Sequence, residues 1–79
     1  MIISFLDTLL LSDNKEYVVT GIVNYNNIDY YCLVEKKDTK NVKFCYQKED
    51  KLVEINDTDI IRKIINLYYE EMKKNISNE

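Results

Sequence analysis

Up to residue 55 the chain is a succession of short runs rich in β-branched and aromatic residues, each closed by polar residues; beyond it the apolar residues recur at helical spacing. Residues 5–11 are apolar apart from Asp7 and Thr8, and the turn-forming Ser12-Asp13-Asn14-Lys15 follows. So short and turn-bounded a run reads as a strand, with a short helix as the alternative. Residues 16–25 (Glu16-Tyr17-Val18-Val19-Thr20-Gly21-Ile22-Val23-Asn24-Tyr25) read as a second strand. Gly21 is the lone glycine of the chain, and a glycine inside a strand marks a bulge or the close approach of another element. Asn26-Asn27 comes next, and asparagine enters the left-handed region more readily than other non-glycine residues. The pair predicts a two-residue hairpin that sets Tyr25 opposite Ile28 and Val23 opposite Tyr30.

Residues 28–35 form the next predicted strand, and Lys36-Lys37-Asp38-Thr39-Lys40-Asn41 a polar loop. Residues 42–47 alternate at period two, with Val42, Phe44 and Tyr46 in phase. A hairpin symmetric about the Asp38–Thr39 bond sets Leu33 opposite Phe44 and Cys32 opposite Cys45, a register that a bulge would break. Glu49-Asp50-Lys51 is a turn and residues 52–55 a short closing strand.

A helix is announced by Asn56-Asp57-Thr58-Asp59, where Asp57 or Asn56 serves as N-cap and the acids suit the positive end of the helix dipole. It runs to about residue 74, where Lys73 and Lys74 bring the complementary sign. Ile60, Ile61, Ile64, Ile65, Leu67, Tyr68, Tyr69 and Met72 cover an apolar arc near half the circumference. The resulting fold class is α+β: an antiparallel β-meander of four or five strands with one C-terminal α-helix packed on one face. One domain spans 1–79, with strands in 5–55, the helix in 57–74 and a frayed tail at 75–79.

Both faces of the strands carry apolar side chains. Simple alternation puts Val18, Ile22, Tyr31, Leu33, Val42, Phe44 and Tyr46 on one face, and Val19, Val23, Tyr25, Ile28, Tyr30, Cys32 and Val34 on the other. One helix covers one face of a small sheet. The other needs the N-terminal segment or a second copy of the chain, because large apolar patches are rarely left open. The expected interaction surface is the tyrosine-bearing face and the helix flank: Val23, Tyr25, Ile28, Tyr30, Val34 and Tyr69.

Composition narrows the functions. The 79 residues are 46% hydrophobic and 32% charged, a globular balance with room for one core. A net charge of -3 argues against a binder of nucleic-acid backbones. The tyrosine pairs Tyr30-Tyr31 and Tyr68-Tyr69 lack the positive groove that base stacking needs and read as packing residues. The chain has no histidine, the usual general acid–base group at neutral pH. Asp57 with Asp59 are cap and first turn, and the neighbours Glu70 and Glu71 do not face each other. A single glycine forms no phosphate loop. Two cysteines without histidine supply neither a four-ligand zinc site nor a thiol–imidazole pair. The expectation is a protein without catalytic, cofactor-binding or metal-binding residues.

The N-terminal apolar run lacks a basic leader and a small-residue cleavage site, and Asp7 interrupts it, so it does not read as a signal peptide. No segment reaches the ~18 apolar residues of a spanning helix. Cys32 and Cys45 read as buried thiols of a reducing cytosol. The heavy use of isoleucine, lysine, asparagine and tyrosine, with no alanine or proline, points to an AT-rich bacterial, phage or mobile-element genome.

Lys15-Glu16-Tyr17-Val18-Val19, Ile28-Asp29-Tyr30-Tyr31-Cys32-Leu33 and Leu52-Val53-Glu54-Ile55-Asn56-Asp57 together resemble the YrzB-like family of short bacterial proteins of unknown function. Tyr30 and Leu33, then Ile55 and Asp57, carry the resemblance, which extends over residues 5–72. The acidic runs and the turn glycine usual in that family are absent, Asn27 standing at the turn. The resemblance implies a low-GC Gram-positive source and a cytoplasmic setting; it implies no activity. The functional expectation is a non-catalytic protein-binding or self-associating module, a homodimer or the partner of another protein. The alternative is a phage or mobile-element acidic inhibitor of a nucleic-acid-binding enzyme, which would gather its carboxylates on one side.

Overall fold

The computed structural model describes residues 2–77. The elements follow as β1 (Thr8–Leu10), β2 (Glu16–Tyr25), β3 (Ile28–Glu35), β4 (Val42–Lys48), β5 (Lys51–Glu54) and α1 (Thr58–Ser77). The strands make one antiparallel meander in the order β1-β2-β3-β4-β5. The α+β class is as expected, with five strands. The helix is capped by Asp57, whose Oδ1 accepts from the Asp59 and Ile60 amides at 2.9 and 3.3 Å, so Asn56 is not the cap. It is helical as far as Ser77, past the expected end at residue 74 and into the tail expected to fray; residues 78–79 lie outside the described residues.

The Asn26-Asn27 hairpin forms as its chemistry dictates. Both residues are left-handed, at φ 53° and 63°, and Tyr25 pairs with Ile28 and Val23 with Tyr30. The turn between β4 and β5 has both Glu49 and Asp50 left-handed, at φ 50° and 66°.

Two register effects revise the facial assignment. The ladder between β2 and β3 shifts between Val19 and Gly21, where Thr20 bulges out. The bulge turns odd-numbered residues of β2 from one face to the other. Along β3–β4 the pairing is Cys32 with Phe44, Tyr31 with Cys45 and Leu33 with Lys43. That is one residue away from the symmetric hairpin, and such a slip exchanges faces for a whole strand. Cys32 and Cys45 therefore lie on opposite faces instead of opposite each other.

The first core holds Ile3, Tyr17, Val19, Tyr31, Leu33 and Cys45, with Leu9, Leu11 and Leu52 against it. The second holds Val23, Tyr30, Cys32, Ile55 and Ile64, with Tyr25, Phe44, Tyr46, Ile60, Ile61, Leu67 and Tyr68. The helix closes the second face. The chain's own N-terminal segment, through Ile3, reaches over part of the first. Of the two covers foreseen for that face, the N-terminal segment supplies one within a single chain.

Gly21 has the two functions its position allows. It ends the bulge, and a Cβ added there would stand 2.5 Å from Cε1 of Tyr68. The helix thus seats Tyr68 directly on the strand backbone. The Tyr68 hydroxyl donates to the carbonyl of bulged Thr20 at 3.2 Å, giving a partner to a group at the interrupted ladder. The Thr20 hydroxyl in turn donates to the Cys32 carbonyl at 3.2 Å.

Candidate functional site

The residues expected to form a binding surface do not form one. Val23 and Tyr30 are buried under the helix, and Tyr25 and Val34 are half-buried. Tyr25 and Tyr30 pack as tilted rings 6.4 Å apart, and Tyr30 meets Tyr46 edge-on at 6.1 Å. These tyrosines are core. Ile28 is exposed at the hairpin tip beside Asp29. Tyr69 is exposed on the helix flank and lines a small cleft of about 240 Å³ with Thr20, Cys32, Val42, Phe44, Ile65 and Tyr68.

A larger concavity lies elsewhere. The sheet curls until β1 and β5, its two outer strands, border the same groove of about 440 Å³. Leu9, Leu11, Cys45 and Leu52 supply its apolar wall, and Ser12, Lys43, Lys51 and Glu54 its polar margin.

A polar network braces one end of this groove. The fully buried Tyr17 donates its hydroxyl to Asp13 Oδ2 at 2.7 Å and accepts from Asn41 Nδ2 at 3.1 Å. Asn41 Nδ2 also donates to Glu35 Oε1 at 3.0 Å, and Lys15 reaches the same oxygen at 3.9 Å. Lys43 Nζ sits 3.4 Å from Asp13 Oδ2 and 3.3 Å from Glu54 Oε1, and 5.5 Å from the centre of the Tyr17 ring. Each ion pair at such a partly exposed site contributes roughly 0–1 kcal/mol. They tie the turn before β2, through Asp13, to Lys43 of β4, and Lys43 to Glu54 of β5.

The titrations follow from these contacts. The Tyr17 hydrogen bond is the main influence that holds Asp13 below its usual 3.8, against some desolvation. Desolvation would lower Lys43, but hydrogen bonds to Glu54 and Asp13 and the Glu54 charge push it up to about 12. Burial raises both thiols to about 11, with the Glu54 charge adding at Cys45. At neutral pH the groove therefore offers a protonated, ion-paired lysine and a neutral thiol, neither of them a nucleophile or base. Its lining is an apolar wall with a paired Lys43 and Glu54, and with Lys51, at the margin. Among the described residues no group of three or more histidine, cysteine or acidic side chains is placed to hold a metal ion. Among the described residues no helix is long and apolar enough to cross a membrane.

Beside the groove runs an open strand edge. The Leu11 amide donates to the Lys15 carbonyl and the Asp7 carbonyl accepts from the Val19 amide. Antiparallel ladders alternate, so Leu9 bonds inward to Tyr17 while the backbone groups of Thr8 and Leu10 face away from β2. Thr8 and Leu10 are exposed, Leu10 at 70%. Just before β1, the Ser4 amide donates to Asp7 Oδ2 and the Asp7 amide to the Ser4 carbonyl, closing a turn. This forces Leu6 to φ 71°, a conformation that costs a β-carbon-bearing residue about 1–2 kcal/mol. Among the described residues the four most exposed large hydrophobics, Ile2, Phe5, Leu6 and Leu10, fall in this N-terminal stretch, while Ile22, Ile28, Val42, Tyr69 and Met72 are exposed elsewhere. Sequence reading missed this site because it depends on which strands end up outermost. The one available signal was the predicted strand at residues 5–11, in which Asp7 is the single charge.

Comparison of the chain with protein-family models, curated proteins and solved structures finds no match.

Proposed function

We propose that this chain is a small, non-catalytic protein-binding module of the bacterial cytoplasm, and that it binds by accepting an extended segment of polypeptide along β1. The observation that carries the reading is the open edge of β1, with Thr8 and Leu10 presenting unpaired backbone groups directly beside an apolar groove. Strand addition uses such an edge for affinity and an adjoining groove for side-chain selection. Lys43 at the groove is held by both Asp13 and Glu54, which suits recognition more than catalysis. Two reduced cysteines on opposite faces suit a reducing compartment.

The acidic-inhibitor alternative is less well supported. Asp29 and Glu35 stand at opposite ends of β3, on the order of 20 Å apart. Glu35 and Asp13 are also engaged with Lys15 and Lys43 and do not join a single negative patch.

A display selection with random peptides of about a dozen residues tests the proposal, using the purified chain as bait. Binders should shift the amide resonances of Thr8–Leu10 and lose affinity against Leu10→Pro, which removes an edge amide without touching the core. A selection that returns no binders, or binders that leave β1 unshifted, overturns it.

A further inference from the structure

The groove has a neighbour on the same face of the sheet. Cys45 and Leu52 of its wall stand directly opposite Tyr31 and Gln47. Tyr31 and Gln47 in turn line a second hollow, of about 410 Å³, with Asp29, Glu49 and Asp50. Directly opposed residues share a face and lie about 5 Å apart, so the two hollows border one another. The first has an apolar wall; the second is acidic. Among the described residues no lysine or arginine lines it, and Asp29 and Glu49 enter no ion pair. Asp29 Oδ1 accepts from Asn24 Nδ2 at 2.9 Å, which holds the carboxylate in place, and Oδ2 has no partner among the described residues.

Tyr31 adds a separate observation. It is 5% exposed, and its hydroxyl has no hydrogen-bond partner among the described residues. No fully buried side-chain oxygen is left unpaired there, so the hydroxyl is the tip by which this ring reaches the surface, inside the acidic hollow. Burial, and the charge of Asp29 two residues away on the same side of β3, keep it a neutral phenol. Its oxygen is placed to accept from the N–H of a cation held by the carboxylates.

We infer that this hollow seats the guanidinium of an arginine carried by the polypeptide that the module binds. The inference rests on the strand-addition reading and adds a chemical requirement to it: a segment lying in the apolar groove passes the Cys45–Tyr31 and Leu52–Gln47 pairs into the acidic hollow. The acceptors stand apart, Asp29 and Tyr31 on β3 and Glu49 in the turn after β4, and no three of the acidic side chains are placed to hold a metal ion. Acceptors so spread suit a planar fork of five donors better than a point charge. The arginine stem packs along apolar surface while its head meets the carboxylates.

An NMR titration with N-acetyl-arginine methylamide tests the hollow without calling on β1. Saturable shifts should appear at the amides of Asp29, Tyr31 and Glu49, and the uncharged citrulline counterpart should give none. Asp29→Asn with Glu49→Gln should weaken binding by about tenfold or more. Both positions are exposed, so the fold should persist, as far-ultraviolet circular dichroism will show. Tyr31→Phe should weaken binding by less, and the lysine counterpart should bind more weakly than arginine. Among display binders that shift Thr8–Leu10, an arginine should recur at one position, and its change to citrulline should cost affinity for the wild type but not for the double variant. No saturable shift, or shifts that citrulline matches or the double variant retains, overturns the inference; equal binding of lysine overturns the guanidinium. Binders along β1 without a basic residue leave strand addition standing and overturn the arginine. A positive titration with no display binders overturns the polypeptide partner and leaves only a site for a free guanidinium.

Discussion

The two faces of the sheet bury similar side chains by different means. On the helix face, α1 lays Ile60, Ile61, Ile64, Leu67 and Tyr68 across Val23, Tyr30, Cys32, Phe44 and Tyr46, and no ion pair is found among these residues. On the groove face the cover is a short N-terminal segment through Ile3, and the remaining margin is closed by the network of Tyr17, Asp13, Lys43, Glu54, Asn41 and Glu35. A long amphipathic helix finishes its face inside one chain. The N-terminal segment and the polar network leave theirs with an open groove and edge. On the proposed reading, the unfinished face is the one that takes a partner.

The largest expected effects test whether both faces belong to one cooperative core. Ile64 and Leu33 are fully buried, one on each face. Ile64→Ala and Leu33→Ala should each cost about 2–5 kcal/mol in urea unfolding. Ile3→Ala should cost less, because the cover it belongs to is short. An Ile3→Ala loss equal to that of Ile64→Ala would erase the distinction between the faces.

A smaller effect isolates the helix face. Gly21→Ala drives a methyl into the Tyr68 ring, whose hydroxyl is tied to Thr20, and should destabilise by about 1–3 kcal/mol. In a Tyr68→Leu background the same change should cost much less, and the difference is the coupling of strand to helix. Equal costs in the two backgrounds would mean that the glycine is required by the bulge alone.

The smallest effects separate the faces by pH. Asp13 is held below 3.8, so its contribution is present above that value and is lost as pH falls through the lowered one. The thiols are raised from 9.0 to about 11, so their neutral forms stabilise the fold fully below pH 9 and the benefit disappears towards 11. Lys43 follows, its contribution present below 10.5 and lost towards 12. Thermal melts should therefore show a plateau from about pH 5 to pH 8.5, with losses on both sides. Asp13→Asn should flatten the acid limb, so that its melting curve meets the wild type's at low pH, and should bring the Lys43 part of the alkaline limb to lower pH, because Lys43 loses one of its two carboxylate partners. An unchanged acid limb would remove Asp13 from the groove-face account.

Much of the fold was legible in the residues. The Asn26-Asn27 turn, the strand character of residues 16–25 and 28–35, the bulge or close contact at Gly21 and the Asp57 cap are all local choices. Each is decided by the φ range, branching or hydrogen-bonding reach of one or two side chains. The candidate surface was not legible. Val23 and Tyr30 were expected outside and are core, while β1 was assigned as a strand with no sign that its edge would stand open beside a groove.

What the sequence determined by itself was therefore the inventory of elements and their order, because propensity, turn chemistry and capping act within a few residues. Tertiary structure decided which side chains share a face. Facing depends on register, and the Thr20 bulge and the one-residue slip between β3 and β4 each reverse it without changing a strand assignment. It also decided that β1 and β5 border one groove, since sheet curl brings together residues more than forty positions apart, such as Leu9 and Leu52. No local rule reaches that distance; the packing of Ile3, Tyr17 and Leu33 against Cys45 does.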